Sequence, residues 1–307
     1  MGDAVPAGAA PPLGTLSEGD WDGLISRIGK GECTPFLGSG MSAEKIPLAC
    51  ALAEQLANYR NVNYPMEDSD NLIKVAQYIA LTFDTSRPKE IVSEIVKNAG
   101  YPDFNPDEPH MQLAALPLPL YMTTNYDDFM YQALARTPKK TPQFFVNGWS
   151  DAEQTYDGQV VATKVPDIKP TVDSPAVYHF HGHMDHLKTM VLTEDDYLDF
   201  LVRISRDPTL IPPRIQQAIG GTCLLFIGYA LSDTNFRVIF RALAERHKTA
   251  RKKSITVQLP PKNAMVVDYL TNYFREAGIR VYWGTAREFV TELKKRWDEA
   301  KKPGGSG

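Results

Sequence analysis

A chain of 307 residues, 43% hydrophobic and 23% charged, has enough apolar side chain for one large core or two modest ones. Its 33 basic and 37 acidic residues leave a formal net charge of −4, which excludes the global basic field that gathers nucleic acid by counterion release. Three cysteines, Cys33, Cys50 and Cys223, with no CxxC pair among them, exclude a disulfide scaffold and a structural zinc ribbon.

Met1 to Leu16 is mostly Ala, Gly and Pro with no basic residue ahead of an apolar run, and it reads as a flexible tail rather than a signal peptide. No apolar stretch approaches the ~20 residues of a membrane span, so a soluble, cytoplasmic protein is expected. Trp21, Leu24, Ile25 and Ile28 recur at helical spacing, ending near Gly29 and Gly31. Cys33 to Leu37 reads as a strand that breaks into Gly38-Ser39-Gly40. Helical patterns follow at Leu48 to Tyr59, at Leu72 to Ile79 and at Ile91 to Val96, which together suggest a helical insertion.

Leu118 to Thr123 is expected to be a buried strand leading into Asn125, with a helix from Asp127 onward. Pro138 to Pro175 reads as irregular, with short apolar pieces at Phe144 to Val146 and Val160 to Ala162. Strands are expected at Ala176 to Phe180, Cys223 to Ile227, Ile255 to Leu259 and Ile279 to Tyr282. Helices are expected at Asp195 to Ile204, Asn235 to His247, Ala264 to Ala277 and Arg287 to Trp297. Such alternation predicts an α/β fold, a parallel sheet covered by helices on both faces, with ligands at the carboxyl ends of the strands.

Four segments could carry chemistry. Gly38, Ser39, Gly40 and Ser42 form a turn whose backbone N–H groups could approach a pyrophosphate, although a plain tight turn has the same sequence. Thr123-Thr124-Asn125-Tyr126-Asp127 places an amide and a carboxylate two residues apart, able to bind a carboxamide and orient a water, or simply to cap the next helix. His179, His181, His183 and His186 surround Gly182 and Asp185, and strand alternation would put the first three on one face. Gly228 through Ser232 and Asp233 ends a buried strand, either at a cofactor or in an ordinary turn capped by Ser232.

Taken together and in this order, the segments resemble the sirtuin-like family, and its bacterial NAD-hydrolase branch more than its protein deacetylases. The resemblance runs from about Trp21 to Trp297. It implies a Rossmann-like doubly wound parallel sheet with a helical insertion at about 50–117 and no zinc module. One NAD-binding catalytic domain would then span 17–300, with a tail or linker at 301–307. By the same resemblance the Gly38-Ser39-Gly40 turn with Ser42 holds the diphosphate, and Asn125 and Asp127 serve the nicotinamide ribose. His181-Gly182 is similar to the family's catalytic His-Gly pair. Gly228 and Ser232 would face the adenosine-side ribose, and Gly284 and Thr285 would lie near the adenine. Where deacetylases carry a glutamine this chain has Thr124, and Ile46-Pro47-Leu48 replaces their arginine-bearing segment; both changes argue against deacetylation.

The implied activity is hydrolysis of NAD to nicotinamide and ADP-ribose. His181 would be general base, its unperturbed pKa near ~6.5 suiting proton transfer at neutral pH. Asn125 would hold ribose and water, and Asp127 would anchor the carboxamide or the loop. The branch further implies NAD depletion in anti-phage defence, a homo-oligomer, and a partner sensor or effector protein, with no membrane, metal or nucleic acid involved. Two other readings stay open. One is a module that binds NAD or ADP-ribose without cleaving it. The other is a metal-dependent hydrolase built on His181-Gly182-His183-Met184-Asp185-His186, whose HxHxDH spacing suits a two-metal centre.

Overall fold

A computed structural model describes residues 16–149, 154–156, 159–161, 168–229 and 254–302. Its strands are β1 (Cys33–Leu37), β2 (Leu120–Thr123), β3 (Gln143–Val146), β4 (Gln154–Tyr156), β5 (Gln159–Val161), β6 (Ala176–His179), β7 (Cys223–Ile227), β8 (Ser254–Gln258) and β9 (Ile279–Trp283). They form one sheet in the order β5-β4-β3-β6-β2-β1-β7-β8-β9. From β3 to β9 the pairing is parallel throughout, and β4 and β5 extend that edge in antiparallel fashion. The apolar runs of β1 and β7 are buried at every position, as a parallel sheet covered on both faces requires.

The helices, in chain order, are α1 (Glu18–Gly29), α2 (Ala49–Ala57), α3 (Leu72–Thr82), α4 (Arg87–Asn98), α5 (Pro109–Ala114), α6 (Phe129–Arg136), α7 (Glu194–Arg206), α8 (Pro213–Gly221), α9 (Ala264–Glu276) and α10 (Ala286–Lys301). Strand alternation sorts the core into two layers. Leu37, Tyr121, Val177, Leu225 and Tyr282 pack with Leu24 of α1, Leu113 of α5, Met130 of α6 and Phe289 of α10. Phe36, Met122, Tyr178, Phe226 and Trp283 face the other way, onto Phe200 of α7, Ile215 of α8 and Phe274 of α9. This is the doubly wound parallel sheet expected from the alternation of elements.

Helices α2, α3 and α4 build a third cluster from Leu52, Leu56, Val75, Ile79, Ile91 and Val92, closed by Met184, Met190 and Leu192. Lys89 of α4 ties it to α7 through a 2.7 Å ion pair with Asp196, the two side chains only 11% and 14% exposed. Asp196 is at the same time the third helical residue of a capping box with Thr193, so α7 starts where the insertion is fastened.

Several expectations need correction. The segment 138–175 is not irregular throughout: Gln143–Val146 pairs along its whole length with β6, Gln143 opposite Ala176 and Val146 opposite His179. Four residues carry too little periodicity to be recognised alone, and it is the neighbouring strand that makes them a strand. Helices α5 and α8 were not expected either; each opens on a proline and spans only six and nine residues. The helix expected at Asn235 to His247 lies outside the described residues.

The chain leaves β1 toward β2 on one side and returns to β7 on the other, so the sheet's topological switch point is at the carboxyl end of β1. There the backbone is crowded. Gly40 N donates to Gly228 O at 2.8 Å, and Gly38 N donates to Ile227 O at 3.0 Å. A Cβ on Gly38 would meet Gly228 O at 2.6 Å, and one on Gly228 would meet Met41 N at 2.3 Å, with φ at +70°. Glycine is demanded here by loop against loop.

Gly228→Ala is expected to destabilise the protein by at least the ~1–3 kcal/mol of a strained backbone. Gly31→Ala is the control, because φ there is +67° but nothing lies within 4 Å of the added carbon. Thermal unfolding of both should show the larger drop for Gly228→Ala; equal drops would mean the loop contact carries no stability.

Candidate active site

A cavity of about 200 Å³ opens at the switch point. The sheet side supplies Ser39, Ser42, Thr124, Asn125, Asp127, His181 and Gly228; Ile46, Leu52, Leu72 and Val96 supply an apolar wall across from them. Of the expected residues, Gly38 and Gly40 do not line it, since they are spent on the contact between the β1 and β7 loops. Gly284 and Thr285, at the end of β9, are also outside its lining: Gly284 N donates to Gln258 O, and Thr285 caps α10 with Glu288. Ser232 and Asp233 lie outside the described residues.

The loop after β2 is pinned at nearly every polar group. Thr124 N donates to Leu37 O at 3.1 Å, and Asn125 N donates to Thr123 Oγ1 at 3.0 Å. The Asn125 side-chain N–H groups go to Gly38 O at 3.1 Å and Ser42 Oγ at 3.2 Å. Both amide hydrogens are therefore committed inside the protein, and Oδ1 is the atom left to accept from a ligand or water. Ser42 Oγ donates to Asp127 Oδ2 at 2.9 Å, and Phe129 N donates to Asp127 Oδ1 at 3.0 Å. Asp127 thus ties the loop to Ser42 and to the start of α6. Burial raises its carboxyl pKa above the ordinary value, opposed by the charge of His110 and by these hydrogen bonds.

His181 is buried, 4% exposed, with its ring edge-on to Tyr197 and Phe200 at 5.4 Å each. Burial among these rings pushes its pKa down to about 4, so the expectation of an unperturbed value near ~6.5 does not hold. Gly182 has φ at +84°, and a Cβ there would meet Thr189 O at 2.3 Å. That turn, and the end of β6 at His179, defeat the expectation that His179, His181 and His183 share one face. His181 meets Phe200 and the cavity, whereas His179 and His183 both pack on Phe144 at 4.9 Å. Among the described residues no group of three or more His, Cys, Asp or Glu is placed to hold a metal ion, so the HxHxDH spacing does not become a site.

Tyr197 lines the cavity beside His181. One further residue gave no signal in the sequence. His110 is 2% exposed and its Nδ1 lies 2.6 Å from Glu108 Oε1, close enough to Asp127 to oppose the cost of burying it. Burial pushes the Glu108 carboxyl up, but the His110 side chain together with the backbone N–H groups of Met111 and His110 outweighs it and holds the group low. A larger cleft of about 630 Å³ lies by α7, where Lys89, Asp195, Asp196 and Asp199 face one another. None of the residues expected in the site reaches it, so the smaller cavity is the candidate.

A family model described as a SIR2-like domain matches residues 119–282, just over half of the chain. The chain is 25% identical over 223 residues to the NAD(+) hydrolase ThsA of Bacillus cereus (strain MSX-D12), covering 71% of this chain and 41% of that protein. It is 26% identical over 214 residues to the NAD(+) hydrolase ThsA of Enterococcus faecium, covering 69% and 40%. It therefore spans about two fifths of the length of these relatives. Among solved structures, one of a Sir2 homolog–NAD complex aligns with a TM-score of 0.38 at 15% identity, over 95% of this chain and 98% of that one. Another, of a Sir2 enzyme, aligns with a TM-score of 0.45 at 11% identity, over 92% and 98%.

The raised pKa of Asp127 fixes the sign of a stability test. The folded protein holds this proton more tightly than the unfolded chain, so folding is favoured at low pH and loses stability as pH rises through the folded-state pKa. Asp127→Asn keeps an acceptor for Phe129 N and removes the charge. Its melting temperature should exceed that of wild type at neutral pH and converge with it near pH ~3, below the ordinary carboxyl range. A variant less stable at neutral pH would show that the ionised carboxylate is a net stabiliser.

Proposed function

We propose, from the premise that this chain belongs to the SIR2-like domain family, that its cavity binds NAD and hydrolyses the nicotinamide–ribose bond. The carrying observation is that Asn125 and His181, from the loops that follow two neighbouring strands, meet in one cavity at the switch point of the sheet. The names of the two relatives support the same reading. The catalytic unit is taken as residues 17–300, with Asn125 and His181 acting directly and Asp127 through the loop.

Cleavage sends the electron pair of the C1′–N bond onto nicotinamide, which leaves neutral while positive charge grows on the ribose. The Asn125 Oδ1 would accept from a ribose hydroxyl or from the attacking water, placing its oxygen at the anomeric carbon. As that oxygen bonds to C1′, its proton passes to His181 and then to solvent, giving ADP-ribose. His181 is suited to receive it because burial keeps the ring neutral across the physiological range. The apolar wall from Ile46 to Val96 would exclude water from the far side of the cavity.

The proposal extends to the setting: NAD depletion in the cytoplasm during anti-phage defence, by a homo-oligomer answering a partner sensor. It draws on the sequence resemblance, and on relatives whose length is more than twice the matched region.

Incubation of the protein with NAD, with and without a chelator, should release nicotinamide and ADP-ribose equally. Asn125→Ala and His181→Ala should each cut the rate by ~10²–10⁴, the usual worth of a positioned acid–base group. NAD retained uncleaved by wild type would favour the binding-module reading instead. With a His181 pKa of about 4, kcat/KM should stay level from neutral pH to about 5 and fall only below it. An acid limb centred near ~6.5 would remove His181 as the base.

A further inference from the structure

His179, His183 and His186 are not part of the cavity lining, yet two of them are among the most deeply buried polar side chains described. His179, the last residue of β6, is 1% exposed, and its Nδ1 lies 3.2 Å from the backbone carbonyl oxygen of Asn125. A carbonyl can only accept, so Nδ1 carries the hydrogen and the Nε2 of the neutral ring is a bare lone pair. Burial pushes the His179 pKa down to about 4, which keeps the ring in that neutral form. Nε2 is buried without a hydrogen-bond partner among the described residues.

His183 stands beside it, ring centroids 5.1 Å apart and planes at 83°. Its Nδ1 accepts from Asp185 N at 3.2 Å, so its hydrogen is on Nε2, which is also buried and unpartnered. The two neighbours are thus set as opposite tautomers. Phe144 closes both rings from the β3 side. The titratable groups nearby are the half-buried His186, whose pKa burial lowers, and the Lys97–Asp185 pair at 2.8 Å.

We propose that His179 is a positioning residue for Asn125, its Nδ1–H holding the Asn125 carbonyl so that the side chain presents Oδ1 to the cavity. The other polar groups of Asn125 are already tied down: its N–H to Thr123 and its amide to Gly38 and Ser42. The carbonyl is the remaining handle, and the peptide it belongs to leads into Tyr126, whose own carbonyl accepts from Met184 N at 3.0 Å. Without His179 the 125–126 peptide can rock between its fixed neighbours, and the Asn125 Cα, from which the side chain is aimed, shifts with it. An unpartnered buried nitrogen is a standing cost to the fold, so the histidine is poorly explained by stability alone. This inference rests on Asn125 acting in NAD cleavage, as proposed above.

The test compares His179→Leu, similar in volume with no donor, and His179→Asn, whose amide nitrogen falls where Nδ1 stood. NAD turnover, melting temperature and the imidazole tautomers of the wild type, read from histidine nitrogen shifts by NMR, are measured together. His179→Leu should melt close to wild type, lose on the order of 10–100-fold in kcat as expected of a misplaced reacting group, and keep its KM. His179→Asn should recover most of that loss, and the wild type should show His179 with its proton on Nδ1 and His183 with its proton on Nε2. A His179→Leu variant with wild-type kcat, a His179→Asn variant as impaired as His179→Leu, or an Nε2-protonated His179 would each overturn the proposal. If wild type releases no nicotinamide, the activity reading fails by itself, and the tautomer of His179 still decides whether it holds Asn125.

Discussion

The site depends on one close contact, the meeting of the β1 and β7 backbones just past their carboxyl ends. Gly38, Gly40 and Gly228 lie so near one another that a methyl group on any of them would strike backbone atoms within 3 Å. This contact sets where the first loop turns away. The turn fixes Ser39 and Ser42, and Ser42 in turn anchors the amide of Asn125 and the carboxylate of Asp127. Glycines that look like a phosphate cradle in the sequence are thus, in the fold, a joint between two strands. Their N–H groups at Gly38 and Gly40 are already used within it.

From that joint outward the site is assembled by parallel register. Thr123 lies opposite His179 in the β2–β6 pairing, so the two loops that follow leave the sheet side by side. They are then stitched together: Phe180 N to Thr123 O at 2.8 Å, Met184 N to Tyr126 O at 3.0 Å, and Tyr126 Oη to Val191 O at 2.7 Å. Such density of hydrogen bonding serves preorganisation, since little of the loop has to be ordered when a ligand arrives. The insertion forms the opposite wall with a different character, apolar inside and fastened to α7 by the Lys89–Asp196 pair.

Much of this was legible in the sequence, for identifiable reasons. Strands β1 and β7 have the boundaries expected of them because each is a short, mostly apolar run ended by glycine. Asn125 and His181 stand out as candidates in the sequence because each lies just past a strand, where a doubly wound sheet exposes its loops. Phe144 to Val146 was missed as a strand because its identity comes from β6, which no local pattern reveals. The histidines misled in a similar way. Alternation holds only while a strand continues, and Gly182 turns the chain after β6 has ended. His110 gave no signal, since what makes it notable is a burial shared with Glu108 and a position behind Asp127.

The register between β1 and β7, Cys33 opposite Cys223, joins residues far apart along the chain. During synthesis β1 emerges early and waits, with one of its edges unpaired, until the last third of the sequence is made. The joint of glycines cannot close before then, and Ser42 and Asn125 have no fixed address until it does. The cavity therefore comes into being late and all at once, and a ribosome-bound fragment ending before β7 has the sequence of most of the pocket without having the pocket. Such a large sequence separation also predicts slow folding, because the entropy of closing that loop is spent before its contacts return anything.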